Sequence, residues 1–351
     1  MSALEASALY TAAQKLKFRP CNESIDPLVS GFAYPMIRTF LPLLVFCRVA
    51  LAYEPPVPTR EVEVLRFEWK DSARSREVPV KIYLPKDITK PSPVIIFSHG
   101  LGGSREGYEY VGRHWAGCGF VSVHVQHQGS DDSVWKKAEP NRRMNSLRDA
   151  TLNPSNTIDR PRDISFVIDQ LERAPFRERL DLGHIGAAGH SYGGFTVMAI
   201  AGQALGPRRS RELADPRVKA VIQMSAPVPR GDRDADAAYA RITMPVFHMT
   251  GTKDDSPIGD TKPEQRRIPY DHMTAAETCL LIFKDGDHMV FSGVTRPGDK
   301  EFHRHICASS TAWWDAHLRG NADARKWLME GGFKEVLGDG GTFEVRQVKS
   351  P

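Results

Sequence analysis

The chain has 351 residues, of which 41% are hydrophobic and 26% charged, as in a globular protein with a sizeable core. Its formal net charge of +4 is too small to predict nucleic-acid binding. None of the five cysteines forms a Cys-x-x-Cys pair, which argues against a zinc or thioredoxin-type site. Cys279 and Cys307 could form a disulfide if the protein is exported, or stay as partly buried thiols.

Residues 1–52 are predicted to form a segment outside the folded domain. Residues 36–52 combine a short basic region, an apolar run and an Ala50-x-Ala52 cleavage site, as a secretory signal peptide does. The run is too short for a stable membrane span, and Arg48 interrupts it. We therefore expect export to the periplasm or the medium. The alternative is a cytoplasmic protein in which this segment is an N-terminal arm or an interfacial anchor.

The rest of the chain predicts an α/β fold, because strand-like and helix-like segments alternate after a proline-rich linker at 55–58. We expect a mostly parallel central sheet of about eight strands, flanked by helices, with two antiparallel edge strands at its start. The domain spans 53–335, with insertions near 130–157 and 256–275 and a C-terminal tail at 336–351. The predicted strands are 62–67, 78–84, 93–98, 120–125, 184–188, 218–224, 244–249 and 279–283, and the clearest predicted helices are 105–118, 159–173, 299–318 and 321–331.

The motif Gly189-His190-Ser191-Tyr192-Gly193 lies between a predicted strand and a predicted helix. In that context G-x-S-x-G indicates a sharp turn that presents the serine hydroxyl above the edge of the sheet. Ser191 is therefore the predicted nucleophile. The alternative interpretation is an ordinary loop in which Ser191 caps the helix.

A serine nucleophile needs a base, and the base needs an acid that orients it. The loop after strand 244–249 contains Asp254 and Asp255, and the loop after strand 279–283 contains His288. Because ligands gather at the carboxyl ends of parallel strands, these loops and Ser191 are expected to meet. We predict Asp254 as the acid, with Asp255 as the alternative, and His288 as the base.

The glycine-rich loop at 99–103 follows a buried strand and predicts an oxyanion hole. The expected donors are the backbone N–H groups of Leu101 and Tyr192. The loop lacks the G-K-[ST] ending of a phosphate-binding loop, and the chain has no H-E-x-x-H pattern. We therefore expect neither a cofactor nor a metal. The other histidines near strand ends, His99, His124, His127 and His190, are interpreted as structural.

Over about residues 60–320 the chain resembles the α/β-hydrolase superfamily. Within it, the chain is most similar to bacterial relatives of platelet-activating-factor acetylhydrolase that are often labelled predicted dienelactone hydrolases. True dienelactone hydrolases are similar in fold but use a cysteine where this chain has Ser191. The resemblance is carried by residues 97–103, 127–132, 160–167, 189–194, 249–255 and 286–288.

The resemblance implies a serine carboxylic-ester hydrolase that acts without a cofactor, through an acyl-enzyme, on small or lipid-like esters with short or oxidised acyl groups. Similar serine turns occur in cutinase-like polyester hydrolases, which remain an alternative. A thioesterase or peptidase with the same three residues is another. A binding protein on the same fold, without catalytic activity, is the alternative from a different class.

Overall fold

A computed structural model describes residues 53–205, 212–228, 235–294 and 296–348 of the chain. The predicted signal peptide at 36–52 lies outside the described residues, as do Cys21 and Cys47. Export therefore stays a prediction at this point.

One sheet of nine strands is found in these residues. Strands β3 to β8 run parallel to one another, β1 and β2 continue one edge antiparallel, and β9 closes the other edge antiparallel to β8. The strand order is β1-β2-β4-β3-β5-β6-β7-β8-β9. The strands are β1 Val62–Asp71, β2 Arg76–Pro85, β3 Ser92–Ser98, β4 Val121–Val125, β5 Leu180–His190, β6 Val218–Met224, β7 Val246–Lys253, β8 Thr278–Asp287 and β9 Gly341–Arg346.

Helices cover both faces of this sheet, and successive residues of a strand point to opposite faces. On β3, Val94 and Ile96 join an apolar cluster with α4 and α5, whereas Ile95 and Phe97 join a second cluster with α1 and α8. The helices are α1 Glu109–Gly117, α2 Ser133–Lys136, α3 Arg143–Leu152, α4 Pro154–Leu171, α5 Tyr192–Ile200, α6 Ala235–Tyr239, α7 Ile268–His272, α8 Asp299–Leu318, α9 Ala322–Met329 and α10 Gly332–Leu337.

The architecture agrees with the predicted one, but the strand count differs because part of the predicted tail forms β9. This strand pairs Phe343 with Leu281 of β8, and Phe343 is its one buried side chain. A six-residue edge strand with a single buried side chain carries little alternation, so the sequence pattern does not reveal it.

Two helix starts also differ from the predicted ones. Helix α4 begins at Pro154, because the side chain of Asn153 accepts a hydrogen bond from the Ser155 N–H at 3.0 Å and Pro154 suits the first helical position. Helix α1 begins at Glu109, because Tyr108 before it has a left-handed backbone with φ of 59°.

The three described cysteines are free thiols, so the disulfide considered between Cys279 and Cys307 is not formed. Cys279 is completely buried within β8, and Cys307 lies on α8. Burial raises the pKa of both thiols, that of Cys307 to about 12, which makes them unreactive.

Candidate active site

Ser191 occupies the single residue between β5 and α5, in a strained backbone conformation with φ of 55° and ψ of −118°. The turn is so tight that a Cβ atom on Gly189 would overlap the carbonyl oxygen of Gly193. A Cβ atom on Gly193 would overlap the carbonyl oxygen of Ser98 on β3. The two glycines of the motif are therefore required by close backbone approach, and the turn packs directly against the end of β3.

The three residues predicted for nucleophile, base and acid are brought together at the carboxyl ends of β5, β8 and β7. The Nε2 atom of His288 lies 2.9 Å from the Oγ atom of Ser191, and its Nδ1 atom lies 2.8 Å from the Oδ1 atom of Asp254. Because a carboxylate only accepts, the assigned tautomer has the proton on Nδ1, and Nε2 can accept from Ser191.

Of the two candidate acids, the structure places Asp254 and not Asp255 against His288. Asp254 is completely buried, and its Oδ2 atom accepts hydrogen bonds from Ser225 Oγ at 2.5 Å and Thr250 Oγ1 at 2.7 Å. The exposed Asp255 instead pairs with Lys262 at 2.9 Å. The side chain of Asp254 is thus held on both oxygens.

Most N–H groups of the glycine-rich loop after β3 donate hydrogen bonds to other groups of the protein. Gly102 donates to the Ser130 carbonyl at 2.9 Å, Gly103 donates to the Gly100 carbonyl at 3.0 Å, and Gly100 donates to the hydroxyl of Tyr108 at 3.2 Å. Within the described residues, no hydrogen bond uses the N–H of Leu101 or of Tyr192. These two predicted donors remain available beside Ser191.

Tyr108 links this loop to the predicted base, a role that its sequence context does not reveal. Its hydroxyl donates to Nδ1 of His190 at 2.9 Å, and Nε2 of His190 donates to the carbonyl of His288 at 2.9 Å. Burial holds the pKa of His190 well below its ordinary value, so the ring is neutral, as this pattern requires. The structural interpretation of His190 agrees with these contacts.

A second Ser-His-Asp arrangement lies beneath the glycine-rich loop. The Oγ atom of Ser98 lies 2.9 Å from Nε2 of His127, whose Nδ1 lies 3.0 Å from Oδ2 of Asp163. All three side chains are fully buried, and none of them lines the cavity at Ser191. The group therefore fixes the end of β3 and has no access to a substrate.

Arg160 on α4 completes this support. Its guanidinium donates to the hydroxyls of Thr196, Ser130 and Ser98 at 2.8 to 3.0 Å and to the carbonyl of His99, and it stacks on the ring of Tyr192. Burial lowers its pKa to about 10, which leaves it charged at neutral pH. A lone arginine in a helical pattern gives no sequence signal for this role.

Burial also holds the pKa values of eight histidines below their ordinary value of 6.5, including those of His114, His303 and His305. The pKa is lowered to about 3 for His124 and His248, and well below 6.5 for His99, His127 and His190. The unfolded chain therefore binds up to eight more protons than the folded chain once the pH falls below 6.5. By linkage, the free energy of unfolding must decrease as the pH falls.

We expect the free energy of unfolding to drop by several kcal/mol between pH 7 and pH 5, since each proton contributes about 1.4 kcal/mol per pH unit. Urea titrations at several pH values would measure this. His248→Gln should reduce the slope by about one proton, because it removes one of these rings, whose Nδ1 lies 3.0 Å from Gln223 Nε2 and whose Nε2 has no hydrogen-bond partner. A free energy that stays constant across this range would contradict the expectation.

Ser191 opens into a cavity of about 530 Å³ with largely apolar walls. The first insertion contributes Leu152 and Thr157, and the second contributes residues 256–261 and Arg266. The volume lies in the range that encloses a small organic ligand. Both insertions thus reach the cavity, while the three central residues come from strand ends.

Across the described ranges, no group of three or more histidine, cysteine, aspartate or glutamate side chains is arranged to hold a metal ion. In the same ranges, no helix is both long and apolar enough to cross a membrane.

The six parallel strands, the strained serine at the β5–α5 turn and the glycine-rich loop after β3 define the α/β-hydrolase fold. A family model described as the alpha/beta hydrolase fold matches residues 93–254, which confirms the predicted fold class.

Similarity to individual curated proteins narrows the comparison further than the family model does. The chain is 26% identical to the platelet-activating factor acetylhydrolase of Canis lupus familiaris over 234 residues, which cover 58% of this chain and 48% of that protein. It is 27% identical to the Bos taurus protein of the same name over 209 residues, covering 50% of this chain and 44% of that protein. The chain thus matches less than half the length of these relatives. The expected resemblance to acetylhydrolases is confirmed at this level of similarity.

Proposed function

We propose that this protein is a serine carboxylic-ester hydrolase in which Ser191 is the nucleophile, His288 the general base and Asp254 the orienting acid. The observation that carries the proposal is the unbroken relay from Asp254 Oδ1 through His288 to Ser191 Oγ, at 2.8 and 2.9 Å, which ends at the cavity. Such a relay raises the nucleophilicity of a hydroxyl that is otherwise weak at neutral pH.

In the acylation step, Ser191 Oγ attacks the ester carbonyl carbon while its proton moves to Nε2 of His288. The charge that develops on the carbonyl oxygen is stabilised by the free N–H groups of Leu101 and Tyr192. The imidazolium ring then gives its proton to the leaving alcohol, and the C–O bond breaks. Asp254 keeps the ring oriented and stabilises its positive charge.

In the deacylation step, a water molecule takes the place of the alcohol. His288 removes its proton, the hydroxide attacks the acyl-enzyme carbonyl, and the acid leaves as the proton returns to Ser191. Every group required for both steps belongs to the chain, so no cofactor takes part in this scheme.

The substrate class follows from the cavity and from the relatives. A cavity of about 530 Å³ with apolar walls suits a small ester, or one short acyl chain of a lipid-like ester. The relatives' name, platelet-activating factor acetylhydrolase, points to a short acyl group on such a lipid. We therefore propose short-acyl esters as substrates, cleaved by a protein exported through the predicted signal peptide.

The test combines a fluorophosphonate probe with p-nitrophenyl esters of increasing chain length. We expect the probe to modify Ser191, identified by peptide mapping, and turnover to be fastest for the shortest acyl groups. A thioester and a polyester film in the same assay would reveal the two alternative hydrolases. If the probe does not modify Ser191 and no ester is cleaved, the protein is not a hydrolase of this kind.

A further inference from the structure

A buried arginine, Arg266, lies against the acid and base of the proposed triad. Its side chain is only 1% exposed, yet it belongs to the second insertion, in a short 3-10 helix at Pro263–Arg267. The Nε atom lies 3.1 Å from Oδ1 of Asp254, the same oxygen that accepts from His288. One carboxylate oxygen therefore faces two cationic or potentially cationic groups.

The guanidinium is fixed by the main chain. Nη1 donates to the carbonyls of Ser225 and Ala226 at 2.6 and 3.0 Å, and Nε donates to the carbonyl of Asp254 at 2.9 Å. Burial lowers the pKa of Arg266, but a guanidinium remains charged in proteins. The site therefore holds a permanent positive charge whose position does not depend on a substrate.

Its contact with the histidine ring is repulsive. Nη2 lies 3.3 Å from Nδ1 of His288, but Nδ1 carries the proton that it donates to Asp254. The contact thus brings two N–H groups together and is not a hydrogen bond. A fixed cation at this distance disfavours a second proton on the ring, because like charges disfavour the charged form.

Arg266 and Asp254 are the charged groups in direct contact with the His288 ring, because the other titratable side chains that pack against it are neutral. His190 packs its ring 4.8 Å from that of His288 and is neutral, since burial holds its pKa well below the ordinary value. Tyr108, behind His190, is also neutral, with its pKa raised to about 12 by burial.

Two further carboxylates near the ring have partners of their own. Asp287 precedes His288 in the chain and is paired with Arg296 at 2.8 Å. Asp255, next to Asp254, is paired with Lys262 at 2.9 Å.

We propose that Arg266 is a positioning residue that holds the Asp254 carboxylate in place and, as a fixed cation beside Nδ1, opposes the second proton that would stop His288 from acting as a base. The proposal rests on the proposed function. Arg266 lies in the cavity wall, but its side chain is only 1% exposed and its polar contacts are with main-chain carbonyls, Asp254 and His288, so we expect its effect to pass through that pair. This makes the pH dependence of the reaction the property that it controls.

The experiment measures kcat/KM for a short p-nitrophenyl ester between pH 5 and pH 9. It compares the unaltered protein with Arg266→Lys, which keeps the charge, and with Arg266→Gln and Arg266→Met, which remove it. We expect the acidic limb of the profile to move up by about one pH unit in both neutral variants, a loss of about tenfold at the acidic end. The alkaline plateau should change by less than about threefold, and Arg266→Lys should keep the limb in place.

A loss of the same factor at every pH in the neutral variants, without movement of the limb, would overturn the proposal, since it would show a purely structural role. Unchanged profiles would also overturn it.

Circular dichroism and thermal melting check the folding of each variant. If Arg266→Lys folds and both neutral variants do not, the role is structural and the proposal fails. Ser191→Ala separates this result from the proposed function, because ester turnover that survives in Ser191→Ala would refute the function itself.

Discussion

Replacing Ser191 by alanine is expected to lower kcat/KM for short p-nitrophenyl esters by about 10⁴-fold or more, because the variant has no atom that can form the acyl-enzyme. The residual rate would come from the oxyanion donors and from substrate binding. Steady-state assays at high enzyme concentration measure the loss, and labelling by the fluorophosphonate probe should disappear with it.

Ser72→Ala is the matched control for this experiment. Ser72 is exposed in the turn between β1 and β2 and does not line the cavity, so its replacement should leave both turnover and labelling unchanged. A Ser191→Ala protein that keeps more than about a tenth of the activity would show that another residue is the nucleophile.

Replacing Asp254 by asparagine is expected to lower kcat by about 10³- to 10⁴-fold, with little change in KM. The amide can no longer hold the Nδ1 proton of His288 as a carboxylate does, and it also faces the donors of Ser225 and Thr250. The histidine then loses its orientation and the stabilisation of its charged form. The kinetic constants, measured beside a melting curve, separate this effect from loss of folding.

The neighbouring Asp255→Asn variant is the matched control for this prediction. Asp255 is exposed and bound to Lys262, so its replacement should change kcat by no more than about threefold. If Asp255→Asn causes the larger loss of the two, the assignment of the acid is wrong.

Much of the fold and of the candidate site can be predicted from the sequence, because both depend on short-range patterns. Buried parallel strands are continuous apolar runs, and the loops after them must meet at one edge of the sheet. Ser191, Asp254 and His288 each stand directly after such a run, and the structure brings them together. The turn glycines are visible for the same reason.

The remaining features depend on contacts between distant segments that no local pattern encodes. The sequence favours Asp254 but leaves Asp255 as an alternative. The two are distinguished by contacts with residues distant in the chain, namely Ser225, Arg266 and His288. Arg266 belongs to a loop whose composition is that of an ordinary polar surface, yet its side chain is buried.

The sequence analysis missed the support beneath the glycine-rich loop, and it missed strand β9, for related reasons. Arg160 is one arginine in a polar helix, and its partners come from three other segments. Strand β9 is specified by the open edge of β8 more than by its own sequence. In each case the structure depends on contacts between segments that are distant in the sequence.

The close packing of Gly193 against the end of β3 has a consequence for how such a protein can diversify. The serine turn and the loop at 99–103 are held together by close backbone packing and by Arg160, which contacts Thr196 on one side and Ser98 and His99 on the other. The two insertions line the cavity through Leu152 and residues 256–261. These residues take no part in the contacts that hold the turn and the loop together. Mutations of these residues can change the shape of the cavity while Ser191, His288 and Asp254 keep their spacing. New substrate specificities can therefore arise by single substitutions, without a change in the residues proposed for catalysis.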